Sequence, residues 1–363
     1  MTHIQSIGLN LPGHKTSAGD IVQWAEGVFG KSDHLRKFKF LVGRSGIENR
    51  YSVIHDFKSA DTFRLFSPNG QFQNPPTSDR LEVFENEILA LASGSAGRAL
   101  AEAGLDPTEI THLITVSCTG MRAPGLEIKL SQELGLSDNC ERLAVNFMGC
   151  YAAFHALKMA HYICTAEPDA RVLLCCAEAC TLHFRKTQTA DDLLTTALFG
   201  DGAASLVVGR DAGNGKTATK WLAHKAALVP SAEAMSWQIG NTGFEMKLTQ
   251  EVPRMVEENI RGLYLELLKV TGRKKADYFA IHPGGKNILE GFRRALNLSD
   301  EKMEPSFRVL KDFGNMSSPT VLFVLKEVEK AFLASGRESA IVFTAAFGPG
   351  LTIESAMLEL KRQ

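Results

Sequence analysis

Leu143-Ala-Val-Asn-Phe-Met-Gly149-Cys150-Tyr-Ala-Ala-Phe-His-Ala-Leu-Lys158 runs an apolar, strand-like segment into an amphipathic helix, with Cys150 at the seam. A side chain at a helix start faces unpaired backbone N–H groups and the positive end of the macrodipole. Such surroundings favour a thiolate and can bring a cysteine from about 8.5 down to roughly 3.5–7.5. Taken alone, Cys150 reads equally well as one more buried apolar side chain, since free cysteine is among the most buried residue types.

Outward from this seam, helical and strand-like patterns alternate through most of the chain, which predicts an α/β fold with covered sheets. The Ala/Leu-rich run Glu82–Gly104 reads as a helix closed by its glycine, followed by a strand over Thr111–Ser117. Cys150 to about Glu167 is the next helix and Ala170–Ala177 the next strand. Ser59–Asp79, with Pro68, Asn69, Gly70, Pro75 and Pro76, reads as a long loop. A break at Arg210-Asp-Ala-Gly-Asn-Gly-Lys-Thr217 divides the chain into 1–210 and 211–363. Aligning Cys150 with Ser318 brings Leu157-Lys158 onto Leu325-Lys326, and each half closes with Phe-Gly-x-Gly and a strand, at Phe199–Gly202 and Phe347–Gly350. The expectation is two like-folded halves sharing a core.

Forty Lys and Arg against 41 Asp and Glu give a formal charge of −1, so no global field favours nucleic acid or an anionic membrane. Neither a secretory leader pattern nor an apolar run approaching the roughly 20 residues of a membrane span is visible, which gives a cytoplasmic expectation. Five of the seven cysteines fall between Cys150 and Cys180 without the paired Cys-x-x-Cys spacing of zinc sites. Neither disulfides nor a metal is expected.

Two further segments give Cys150 chemical company. His282, in Tyr278-Phe-Ala-Ile-His-Pro-Gly-Gly285, stands where an apolar strand enters a turn; Asn315, in Asp312-Phe-Gly-Asn-Met-Ser-Ser-Pro319, stands near a second helix start. Each has an ordinary use, as a loop hydrogen-bonder or an N-cap. Together they supply what acyl chemistry at a thiol needs, a proton acceptor and donors for a developing oxyanion or enolate.

Gly149-Cys150, Ile281-His-Pro-Gly-Gly285, Gly314-Asn-Met-Ser-Ser318 and Phe347-Gly-Pro-Gly-Leu-Thr352 occur in the order and spacing of the decarboxylating condensing enzymes of the thiolase superfamily. The Phe347 motif, with Leu198-Phe-Gly-Asp-Gly-Ala-Ala204, resembles the type III polyketide synthases, the chalcone synthase group. The resemblance spans about Leu35 to Ile353. It implies a thiolase fold, duplicated α/β halves forming a layered αβαβα core, and a homodimer. It also implies an acyltransferase with a Cys150-His282-Asn315 triad. Cys150 would hold an acyl starter taken from its coenzyme A thioester, and His282 and Asn315 would stabilise the enolate formed as malonyl-CoA loses CO2. The enolate would extend the Cys150 thioester over repeated rounds to an aromatic or pyrone product. Because CO2 loss makes the nucleophile, no cofactor is implied beyond the coenzyme A thioesters that serve as substrates. A β-ketoacyl-acyl-carrier-protein synthase III performing one condensation is the alternative, although that group usually carries Gly where Pro349 stands.

The resemblance also implies pocket positions. Phe184 matches a gatekeeper, Met246 or Phe244 a second one, and Cys118, Thr119 and Ser317 the cavity lining beside Phe347, Gly348 and Pro349. Cys118 stands where plant members have Thr, and Ala123 where they have a Met reaching the partner subunit. Lys37 and Arg44 match coenzyme A contacts; a third basic position falls on Phe40, with Lys39 as the substitute.

Overall fold

The computed structural model describes residues 2–58, 63–66, 73–186, 189–230 and 234–363. Among these, nine strands form one sheet in the order Tyr278–Ile281, Ser339–Gly348, Thr352–Arg362, Thr217–Leu228, His3–Asn10, Asp201–Gly209, Val172–Ala179, His112–Ser117 and Glu141–Asn146. The middle is narrow: His3–Asn10 meets Thr217–Leu228 only through His3 with Lys220 and Ile4 with Thr219. Outward from that junction both halves repeat one sequence of pairings, antiparallel, antiparallel, then parallel. The N-terminal half adds Glu141–Asn146 as a further parallel edge.

The halves meet through two buried helices, Ala152–Ala166 and Thr320–Ala334, each of 15 residues. They begin two residues after Cys150 and Ser318, the positions that the sequence pairs. Phe154, Leu157 and Ala160 from one helix and Val321, Val324 and Val328 from the other share a core with Val172, Leu174 and Cys176 of one half-sheet and Val342 and Ala346 of the other. The opposite strand faces are covered too. Leu173, Cys175 and Ala177 pack with Ile88, Leu91 and Ala92 of helix Thr77–Ala103. Ile341, Phe343 and Ala345 pack with Val256, Ile260 and Leu267 of helix Val252–Thr271. The layers therefore run α, β, α, β, α, and burial on both faces is why these strands read as continuous apolar runs rather than alternating ones.

Helix Thr77–Ala103 starts inside the segment read as a loop, so that connection ends at Pro76; residues 59–62 and 67–72 of it lie outside the described residues. The helix stops at Gly104, whose φ of +69° and N–H bonds to Ala101 and Leu100 carbonyls form a left-handed cap.

The seam that carries Cys150 is closed by the other half. Gly149 has φ +85°, and a Cβ there would stand 2.4 Å from Pro349 Cδ, so two constraints exclude a side chain. Gly149→Ala should therefore lower stability by about 1–3 kcal/mol. Gly97→Ala, in open space on helix Thr77–Ala103, should raise it by about 0.5–1 kcal/mol. Urea unfolding of both variants checks the contrast, and equal stabilities would refute it.

Candidate active site

Cys150 sits in the turn before helix Ala152–Ala166 and is 3% exposed. The Ser317 and Asn315 side chains lie close enough to its thiol to lower its pKa. Asn315 is held on every other side. Its N–H donates to Leu198 O at 2.9 Å, its carbonyl accepts from Gly200 N–H at 3.0 Å, and its Oδ1 accepts from Ser317 N–H at 2.8 Å. With Oδ1 engaged, the amide NH2 is the end left for the thiol. Asn315 is not an N-cap, since the helix begins only at Thr320, and Ser317 between them takes a left-handed φ of +60°.

The acid–base balance differs from the expectation for a thiol at a helix start. Burial pushes the Cys150 thiol up to about 12, with the nearby Glu178 carboxyl adding to the rise and the Ser317 and Asn315 hydrogen bonds opposing it. Desolvation of a closed site outweighs a helix end whose first helical residue is Ala152. The same cause pushes His282 down to about 3. His282 is wholly buried directly after strand Tyr278–Ile281, its backbone N–H bonded to Ala345 O at 2.8 Å. Neither ring nitrogen has a hydrogen-bond partner among the described residues. Its ring meets Phe347 edge-on at 5.5 Å, and the chain continues from Phe347 through Gly348, packed on Tyr151, to Pro349, packed on Gly149. A neutral imidazole kept from water with both nitrogens unpaired is an unusual expense, and such groups collect at functional sites.

The cavity at Cys150 is about 20 Å³, room for one water molecule. Cys118, Thr119, Ser317, Pro349 and Met246 line it, together with Cys180, Phe199, Met235 and Trp237. Phe347 and Gly348 are buried and are not in its wall. Phe184 and Phe244 are not in the wall around Cys150. Phe184 lies edge-on to Trp24 at 4.5 Å and to Phe66 at 5.3 Å, and Phe244 stacks on His183 at 4.0 Å. Both instead line an adjoining cavity. Phe199, Cys180 and Trp237 border the two cavities at once, and Phe184 lines only the adjoining one. The Trp237 indole N–H donates to Cys118 O at 2.8 Å, fixing the hairpin Met235–Gly240 and Gly243–Leu248 over the site.

Glu178 is the other residue that the sequence reading passed over. It is fully buried in strand Val172–Ala179, and burial raises its carboxyl. Oε2 accepts from Cys118 N–H at 2.8 Å, Thr119 Oγ1 at 2.7 Å and Ser117 Oγ at 3.3 Å, while Oε1 accepts from Ser318 Oγ at 2.6 Å. It thus ties the cavity loop of one half to the Asn315 loop of the other. An acid within an otherwise apolar strand was the available signal.

Lys37 and Arg44 lie one above the other on helix Asp33–Ser45, which packs on helix Ala190–Leu198, the element leading into Phe199. Lys37, Arg36, Phe40 and Leu41 edge an exposed groove, and the Arg44 guanidinium lies 5.3 Å from the Phe40 ring. Lys39 faces away and pairs with Glu26 at 2.6 Å, so it does not join that basic face.

Residues 4–212 match the N-terminal domain of the chalcone and stilbene synthases, and residues 221–360 their C-terminal domain. The chain is 30% identical over 368 residues to type III polyketide synthase C of Arabidopsis thaliana, covering 98% of this chain and 94% of that protein. PKS-I from the brown alga Ectocarpus siliculosus superposes with a TM-score of 0.91 at 29% identity, over 100% of this chain and 98% of that one. The C-terminal type III polyketide synthase domain of Steely1 from Dictyostelium superposes with a TM-score of 0.89 at 27% identity, over 99% of each chain. Sequence likeness running through both halves of this duplicated five-layer fold makes the chain a member of the chalcone and stilbene synthase family, the type III polyketide synthases.

Proposed function

We propose that Cys150, His282 and Asn315 perform the family's iterative decarboxylative condensation, with residues 1–210 supplying the nucleophile and 211–363 the imidazole and amide. The observation that carries this reading is the Asn315 side chain, tied at Oδ1 by the Ser317 N–H and near enough to the buried Cys150 thiol to lower its pKa. The single-condensation alternative is not favoured, since both halves match the type III group.

Burial favours the neutral forms of Cys150 and His282, so the thiol proton needs a buried acceptor. His282, neutral above about pH 3 with unpaired nitrogens, is that acceptor. The thiolate attacks the starter thioester carbonyl, and coenzyme A leaves as the thiol with the proton His282 returns. Malonyl-CoA follows, its thioester oxygen taking hydrogen bonds from Asn315 NH2 and the His282 N–H. The bond to its carboxylate breaks, CO2 departs, and the electron pair enters the enolate. The enolate carbon attacks the Cys150 thioester and expels the thiolate, leaving the lengthened chain on coenzyme A; the thiolate then takes that chain back, releasing coenzyme A, for the next round. Coenzyme A thioesters approach along the Lys37 and Arg44 face, and Phe199, Met246 and Trp237 set the room for the growing chain, with Cys118, Thr119 and Ser317 shaping its closure. No helix among the described residues is long and apolar enough to cross a membrane. A cytoplasmic homodimer suits seven free, buried thiols and the exposed edge strand Glu141–Asn146, whose outer side pairs with no strand among the described residues.

Incubation with malonyl-CoA and a panel of acyl-CoAs, followed by mass spectrometry, should show products extended more than once; single extension only would contradict the iterative reading. Cys150→Ala should abolish product, and Asn315→Ala should slow malonyl-CoA decarboxylation roughly 10²–10³-fold, whereas full decarboxylation by the latter would remove Asn315 from the chemistry. Ser317→Ala deletes a bond that lowers the thiol's pKa, so the pKa rises further. The thiolate fraction at pH 8 then falls, and iodoacetamide should inactivate that variant roughly tenfold more slowly; an unchanged rate would refute the contact. Arg44→Glu should raise the malonyl-CoA KM, and an unchanged KM would place Arg44 outside the path.

A further inference from the structure

Helix Ala190–Leu198 ends against the active site, and its last four carbonyls, orphaned in any helix, all have partners. Thr195 O accepts from Phe199 N–H and Leu198 O from Asn315 N–H, each at 2.9 Å. The two between are taken by one side chain: Arg50 donates to Thr196 O at 2.5 Å and Ala197 O at 2.8 Å, with a third contact to Phe199 O at 3.4 Å. Arg50 is 2% exposed, and no carboxylate pairs with it among the described residues. Its counter-charge is the negative end of this helix. A buried guanidinium is costly unless its surroundings repay it.

Arg50 also stands where the halves join at the site. Phe199 and Asn315 form a parallel bridge, and Gly200 N–H binds Asn315 O at 3.0 Å. A Cβ on Gly200 would lie 3.2 Å from Arg50 Cβ, and one on Gly314 would lie 3.8 Å from it. The arginine stem therefore packs against both glycines that let the two loops touch, while its head holds the helix end that presents Phe199.

We propose that Arg50 is a positioning residue for the condensation: by locking this helix terminus it keeps Phe199 in the cavity wall and the Asn315 amide on Cys150. It lines the adjoining cavity but not the one at Cys150. The proposal rests on the decarboxylating role given to Asn315.

Full-length Arg50→Met, Arg50→Lys and Arg50→Ala enzymes are compared with wild type for malonyl-CoA decarboxylation, with kcat and KM normalised to the folded fraction from urea unfolding. The expected result is a kcat lowered roughly 10²-fold in Arg50→Met, the scale of an ångström-sized misplacement, with KM unchanged. Arg50→Lys, which keeps the charge but not the fork, should lose roughly tenfold. Methylguanidinium should restore part of kcat to Arg50→Ala and leave wild type unaffected. A folded Arg50→Met or Arg50→Lys with wild-type kcat overturns the proposal. So does a loss that only tracks the folded fraction, or failure of both variants to fold, since either assigns Arg50 to the fold alone. A wild-type enzyme that does not decarboxylate malonyl-CoA overturns the functional reading itself, a result separate from an active wild type matched by an active Arg50 variant.

Discussion

Gly149 and Pro349, from opposite halves, touch with no space for a Cβ on the glycine. Much of the site follows from that contact. It holds the turn at the head of helix Ala152–Ala166, and so Cys150, against the turn that continues from Phe347, whose ring packs on His282. The two buried helices give the halves a common core, but a core alone leaves many relative placements nearly equal in energy. Close backbone approach is steeper, because a fraction of an ångström meets repulsion.

Polar groups complete what that contact begins. Glu178 gathers Ser117, Cys118 and Thr119 from one half and Ser318 from the other, and Arg50 gathers the end of helix Ala190–Leu198 beside Asn315. Both are buried charged side chains, tolerable only because several hydrogen bonds meet each. The same dryness that makes them expensive raises the Cys150 thiol and lowers His282. Both shifts have one cause, the burial that disfavours either charged form. So confined a cavity, about 20 Å³, also strengthens any polar contact made inside it.

The layered fold was legible in the sequence, and the three residues proposed for the chemistry each stand at a boundary that sequence marks well. Cys150 ends an apolar run at a glycine, His282 ends a strand at Pro-Gly-Gly, and Asn315 precedes the paired helix. What escaped depended on contacts between distant segments. Phe184 and Phe199 both flank helix Ala190–Leu198, and sequence does not say which side of it faces the nucleophile; Trp24 and Phe66, far earlier in the chain, draw Phe184 away. Met246 and Phe244 lie on one strand face, yet the stack on His183 holds Phe244 in the adjoining cavity while Met246 reaches the wall at Cys150. Lys39 stands next to Phe40 in sequence, but helix periodicity turns it toward Glu26. The raised thiol was illegible for a different reason: a helix start is local and readable, whereas desolvation is a property of the whole closed site.

The central claim is that one thiol among seven cysteines carries the acyl chain. Its most direct test is peptide mapping by mass spectrometry after brief incubation of the enzyme with an acyl-CoA starter and no malonyl-CoA. The account predicts a single acyl mass increment on the peptide containing Cys150, abolished by prior alkylation of that residue. An increment on Cys118 or Cys180, which line the same cavity, or no acyl-enzyme at all, would contradict it.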